Sequence, residues 1–216
     1  MADVERDQAL LTALTTEHFG LAGARAQTTG ESSARASLYI SAVSSTLVAL
    51  GFIGQITEVG DTFKVFALTA LPTLYLLGLF TFVRVVENGV EDMMLGRAIN
   101  RIRNYYLQLA GEERRYFMLS GNDDPRGVMR NMGVSLQRRQ QFFTTGSMIA
   151  VINSVVGGAA IAVAVGTIGA PLGVSVVIGG IGAIGSLLRL LRIENRMYHE
   201  MGGFTETLFP SPDEAG

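Results

Sequence analysis

The stretch "SMIAVINSVVGGAAIAVAVGTIGAPLGVSVVIGGIGAIGSLL", Ser147 to Leu188, holds no Asp, Glu, Lys or Arg, and the charge-free run reaches back to Gln140. A helix rises about 1.5 Å per residue and the hydrocarbon core of a bilayer is roughly 30 Å thick, so about 20 apolar residues make one crossing. This run has room for two crossings, with a hinge at "GTIGAPLGV" (Gly166 to Val174). Two further charge-free runs, Ala36 to Thr57 and Val65 to Val83, fit one crossing each. A soluble helix in a chain of 216 residues shows a charged face, and these runs have none. The pattern predicts an all-α integral membrane protein, with four transmembrane helices near 36–57, 63–85, 142–165 and 171–189 paired as two hairpins.

The same stretch raises a competing reading. Gly180, Gly182 and Gly185 spell G-x-G-x-x-G after the strand-like "GVSVVI", the pattern of a dinucleotide-binding turn. That fold needs a second strand after its helix and an acidic residue about 20 positions on for the ribose. Glu200 and Glu206 fall in no strand-like context. Gly179, Gly182 and Ser186 instead recur at three- and four-residue spacing, which gives a small-residue face for close helix packing.

Composition narrows the chemistry. Net charge is −2, so no general affinity for nucleic acid is expected, and the absence of cysteine excludes disulfides and thiolate chemistry. His18 beside Glu17 lacks a third ligand, and Asp123–Asp124 lack the spacing of a calcium loop, so no metal is expected. No carboxylate lies within a predicted span to act as acid or base, and no ionisable residue is expected in the membrane interior to couple transport to charge. The expectation is no enzyme, no catalytic residues and no cofactor.

Arginine placement predicts orientation. Arg84, Arg97, Arg101, Arg103, Arg114, Arg115, Arg126, Arg130, Arg138 and Arg139 lie between the second and third runs. Arg189, Arg192 and Arg196 follow the fourth, and Arg25 and Arg35 precede the first. The short loops within each pair hold only Lys64, offset by Glu58 and Asp61, or nothing charged. Both termini and the middle segment are therefore expected in the cytoplasm, in a bacterial inner membrane. The first 35 residues carry Asp3, Glu5 and Asp7 rather than a basic start and apolar core, so the first span is expected to act as its own insertion signal.

This gives five segments: 1–35, a cytoplasmic helix; 36–86, the first hairpin; 87–141, a cytoplasmic helical segment; 142–189, the second hairpin; 190–216, a cytoplasmic helix and a disordered tail. In the middle segment, Val90, Met94, Ile99, Ile102, Tyr106 and Leu109 form an apolar helical stripe, with Arg97 and Arg101 on the other side. Gly111 interrupts it, "EERRYFMLS" follows as a short helix, and Gly121 is placed to end that helix with a left-handed residue. Asp124 before Pro125 reads as an N-cap, opening a helix through Val128, Met132 and Leu136 into the third span.

The candidate functional residues are polar or basic. Ser37, Ser41 and Ser44, with Ser45 beside them and Gly51 and Gln55 beyond, form a stripe on the first span that either lines an aqueous path or packs against another helix. Asn153, mid-span, either bonds across a helix interface or meets water in a pore. Pro72 is expected to kink the second span, freeing a carbonyl near Leu68 that Thr69 is placed to satisfy. Arg97, Arg101, Arg189, Arg192 and Arg196 make a basic cytoplasmic face for anionic headgroups, a partner protein or an anionic ligand.

Two segments, Thr15 to Gln55 and "RAINRIRNYYLQLAGEERRYFMLSGNDDPRG" (Arg97 to Gly127), resemble a family of small multi-pass membrane proteins of actinobacteria. That resemblance implies no activity and no catalytic residues. In architecture, a hairpin running on into a cytosolic helix, the chain is also similar to SLATT-type membrane effectors. Together these features lead to the expectation of a homo-oligomeric channel or pore-type effector in the lipid bilayer, gated through its cytoplasmic helices. The alternative is a non-conducting scaffold or accessory subunit that recruits a partner or anionic lipid through its arginine-rich helices.

Overall fold

A computed structural model describes residues 2–57, 60–133, 144–201 and 206–212. Glu58, Leu136, Arg138 and Arg139, used above, lie outside them. The described chain is all-helical. Helix α1 spans Ala2–Ile56, α2 Asp61–Ala110, α3 Pro125–Asn131, α4 Thr145–Thr167 and α5 Leu172–Met201, with a 3₁₀ turn at Gly111–Tyr116. Four of these, α1, α2, α4 and α5, are long and apolar enough to cross a membrane.

The chain packs as two compact units, one of residues 31–87 and 143–199, the other of residues 1–30, 88–142 and 200–216. The helices α1 and α2 each contribute to both. The unit of 31–87 and 143–199 is a four-helix bundle. Its core takes Ala36, Tyr39 and Val43 from α1, Ala67, Leu71, Leu74 and Phe82 from α2, Ile149, Ala150 and Val156 from α4, and Leu190 from α5. Glycine also permits a close contact between backbones. A Cβ on Gly158 would lie 2.6 Å from the Gly179 carbonyl oxygen, and one on Gly179 would lie 2.5 Å from that of Gly158. The backbones of α4 and α5 thus meet directly, as small residues permit.

In the other unit, α2 carries the packing. Arg25 on α1 forms a two-pronged ion pair with Asp92 on α2, at 2.7 and 3.1 Å. Gly111 ends α2 in the left-handed region, at φ +54°. Asp124 caps α3 through a 3.0 Å bond from the Gly127 amide, with Pro125 at the first helical position.

Several expectations change. The segment "EERRYFMLS" is not an α-helix: a 3₁₀ turn ends at Tyr116 and an irregular chain follows. Gly121 has no positive φ. Its side is closed by the Asn104 backbone, whose Cα would lie 2.7 Å from an added Cβ, so glycine there serves close approach. The helix opened by Asp124 does not run on, because α3 closes at Asn131 and Gly133 takes φ +70°. The helix α2 carries Pro72 within its length. Thr69 does not serve the proline's lost bond, since its hydroxyl bonds the Val65 carbonyl at 2.9 Å. The tail, expected to be disordered, is hydrogen-bonded into place over residues 207–211.

Candidate functional site

One face of α1 in the bundle is filled by Ala36, Tyr39 and Val43. At about 100° per residue, Ser37, Ser41 and Gln55 lie well away from that face and Ser44 and Gly51 nearer its edge, and all five are exposed. Leu38, Leu47 and Phe52, which flank the stripe, are exposed as well. The serine stripe therefore takes no part in the packing of its own bundle. It is a polar strip on an outward, otherwise apolar surface.

Asn153 is placed quite differently. It is wholly buried, and its Oδ1 accepts from the Tyr39 hydroxyl at 3.0 Å. Gly78 on α2 makes the room: a Cβ there would collide with the Asn153 amide and lie 2.7 Å from the Tyr39 oxygen. Asn153 thus bonds across a helix interface, and α1, α2 and α4 meet at one polar point. Its Nδ2 has no partner among the described residues.

A second polar contact ties α2, α4 and α5. The hydroxyls of Tyr75 and Ser186 lie 3.0 Å apart, and Ser154 donates to Ser186 at 3.3 Å. Gly179, Gly182 and Ser186 all face α4: Gly179 meets Gly158 and Ala162, while Gly182 meets the Ile161 side-chain end. Gly180 and Gly185 have nothing within 4 Å of an added Cβ, so the residues of the apparent nucleotide fingerprint divide between two faces of one helix.

At the other end of the same helices, Glu194 is buried at the start of α4. It accepts from Thr144 at 2.8 Å and Ser147 at 3.2 Å, where the positive end of the helix dipole favours a carboxylate. Glu31 accepts from Arg35 and from Arg84 on α2, and these bonds, Arg84 first, hold its carboxyl below the usual range. Arg189, Arg192 and Arg196 are exposed along α5, opposite buried Leu190.

Arg97 and Arg101 do not form an open basic face. Arg97 is 2% exposed and gives its Nε to the Asp123 carbonyl at 2.7 Å. Arg101 pairs with the Asp123 carboxylate at 2.7 Å. Of the expected apolar stripe, Ile99 and Ile102 are buried, Val90 and Tyr106 are half-buried, and Met94 and Leu109 are exposed.

Asp123, expected to be a plain turn residue, is fully buried and organises this corner. Its carboxylate accepts from the Leu208 amide at 3.1 Å and the Phe209 amide at 2.7 Å, and its own amide donates to the Phe209 carbonyl at 3.0 Å. Burial acts to raise the carboxyl's pKa, but the Phe209 and Leu208 amides and the Arg101 guanidinium outweigh it and hold the pKa below the usual value. No local sequence signal marks Asp123, because its partners lie far along the chain. No known protein family, curated protein or solved structure matches the chain.

Proposed function

We propose that the protein is an oligomeric channel of a bacterial inner membrane, with both termini in the cytoplasm and a pore lined by α1 of each copy. The observation that supports this is the outward strip of Ser37, Ser41, Ser44 and Gln55, exposed to one side of the face that α1 buries in its own bundle. Hydroxyls and an amide in hydrocarbon seek a helix partner or water. A ring of copies gives the strip both, with Leu38 and Phe52 at the seams between copies. Asn153 is internal in this reading and conducts nothing. The helices α1 and α2 run without a break from the bundle into the other unit, which supplies a route for gating from the cytoplasm.

The absence of native cysteine makes the test direct. The protein is reconstituted into liposomes, and ion flux is recorded for Ser41→Cys, Ser44→Cys and Leu38→Cys before and after a charged thiol reagent. Block at Ser41→Cys and Ser44→Cys with Leu38→Cys unaffected is the expected result. A wild type that passes no ions under voltage or tension rejects conduction, and block at Leu38→Cys alone rejects the lining.

A further inference from the structure

We infer that Arg97, Arg101 and the loop Asn122–Asp124 form a binding site for a short bent peptide, occupied by residues 206–211 of the same chain as a dissociable ligand. The recognition is almost entirely of main chain. Besides the two amides held by the Asp123 carboxylate, Arg101 donates to the Glu206 carbonyl at 2.5 Å and Asn122 Nδ2 to the Pro210 carbonyl at 2.9 Å. Two hydroxyls complete the set: Thr207 Oγ1 accepts from Arg97 at 3.0 Å, and Ser211 donates to Asp124 at 2.7 Å. A carboxylate reading two consecutive amides at a bend, followed by a proline of fixed φ, is peptide recognition of the main-chain kind.

Two observations make the segment a ligand rather than part of the core. Most of its side chains stay outside: Glu206, Thr207, Leu208 and Pro210 are exposed, and only Phe209 and Ser211 are half-buried. The receptor is also held together without it. Asn100 donates to the Asn122 carbonyl, Asn131 bonds both Asn100 and the Ser120 carbonyl, and Asp124 keeps its cap on α3. Asp123 retains Arg101 when the segment leaves, so its buried carboxylate keeps a cation. The site's ligand class is therefore a proline-containing peptide that bends to present free amides at two successive positions, here supplied in cis.

The test uses the full chain in detergent with Ala215→Cys carrying a fluorophore. Synthetic peptide TETLFPSPDE, the sequence of residues 205–214, is added up to tens of millimolar, because a short tether gives the bound tail an effective concentration of about millimolar. A fall in label anisotropy is expected with this peptide and not with the same peptide N-methylated at Leu208 and Phe209. Without peptide, Asp123→Asn is expected to speed hydrogen exchange at the Leu208 and Phe209 amides by about 10- to 100-fold, with Ile99–Ile102 protection unchanged. Thr207→Val, which leaves the receptor intact, should lower the peptide concentration needed for release. Unchanged anisotropy at the highest concentration, equal action of the N-methylated peptide, or loss of α2 protection together with that of the tail overturns the inference in favour of a static brace.

Discussion

The contact between α4 and α5 gives a sharp quantitative test, because adjacent glycines of one helix fall on different faces. A methyl at Gly179 would lie 2.5 Å from the Gly158 carbonyl oxygen and 2.8 Å from the Ala162 Cβ. Non-bonded carbon atoms settle near 3.5–4.0 Å, so Gly179→Ala forces the two helices apart by roughly 1 Å. Overpacking of this kind costs about 1–3 kcal/mol. Gly180→Ala adds the same methyl into open space. Both changes gain the same intrinsic helix preference of alanine, about 0.8–1 kcal/mol, and that gain cancels in the difference. Gly179→Ala should therefore be less stable than Gly180→Ala by about 1–3 kcal/mol. Gly182→Ala should fall between them, because its obstacle is the movable end of Ile161. Reversible unfolding of the full chain in mixed micelles, followed by far-ultraviolet circular dichroism, measures all three. Equal stabilities for the Gly179 and Gly180 variants, or the reverse order, would refute the assignment of the α5 face that meets α4.

Two further predictions concern single polar contacts. A double-mutant cycle with Tyr39→Phe and Asn153→Ala should return a coupling of about 0.6 kcal/mol, at most about 1.7, the range for hydrogen bonds between helices in membranes; zero coupling contradicts the 3.0 Å bond. Asp123 has a depressed folded pKa, so its contribution to tail docking is full above the ordinary carboxylate value near 4 and is lost as pH falls through the lower folded value. Protection of the Leu208 and Phe209 amides, corrected for intrinsic exchange, should be flat from pH 7 to about 5 and fall only below about 4. Release centred near pH 6 removes Asp123 as the holding group.

What the sequence discloses depends on whether a residue's partner is near it in the chain. The four long apolar helices are legible because the demand of hydrocarbon is met residue by residue, and charge-free runs record it. Asp124 is legible for the same reason, since a cap is settled within a few residues, and Gly111 is legible as an interruption, although the left-handed residue expected at Gly121 falls at Gly111. Asp123 is not. An aspartate before Asp-Pro looks like ordinary turn chemistry, and the partners that bury it are at 208 and 209. Arg97 misleads in the same way, since an arginine on a helix reads as solvated until a carbonyl and a hydroxyl from other segments close over it. Tyr39 and Gly78 pass as members of apolar runs, although together they define the place of Asn153. The serine stripe was visible as a pattern, but only the structure shows it outside its own bundle.

The docked tail also has a consequence in time. Asn122 and Asp123 leave the ribosome before α4 and α5 exist, and the segment they hold follows all four long apolar helices in the chain. The corner around Asp123 can close only after the second pair of those helices has been synthesised. Contacts of such long sequence separation form late. A chain halted within α5 keeps a formed receptor and lacks its occupant, and such a chain would be distinguishable from the finished protein at this one surface.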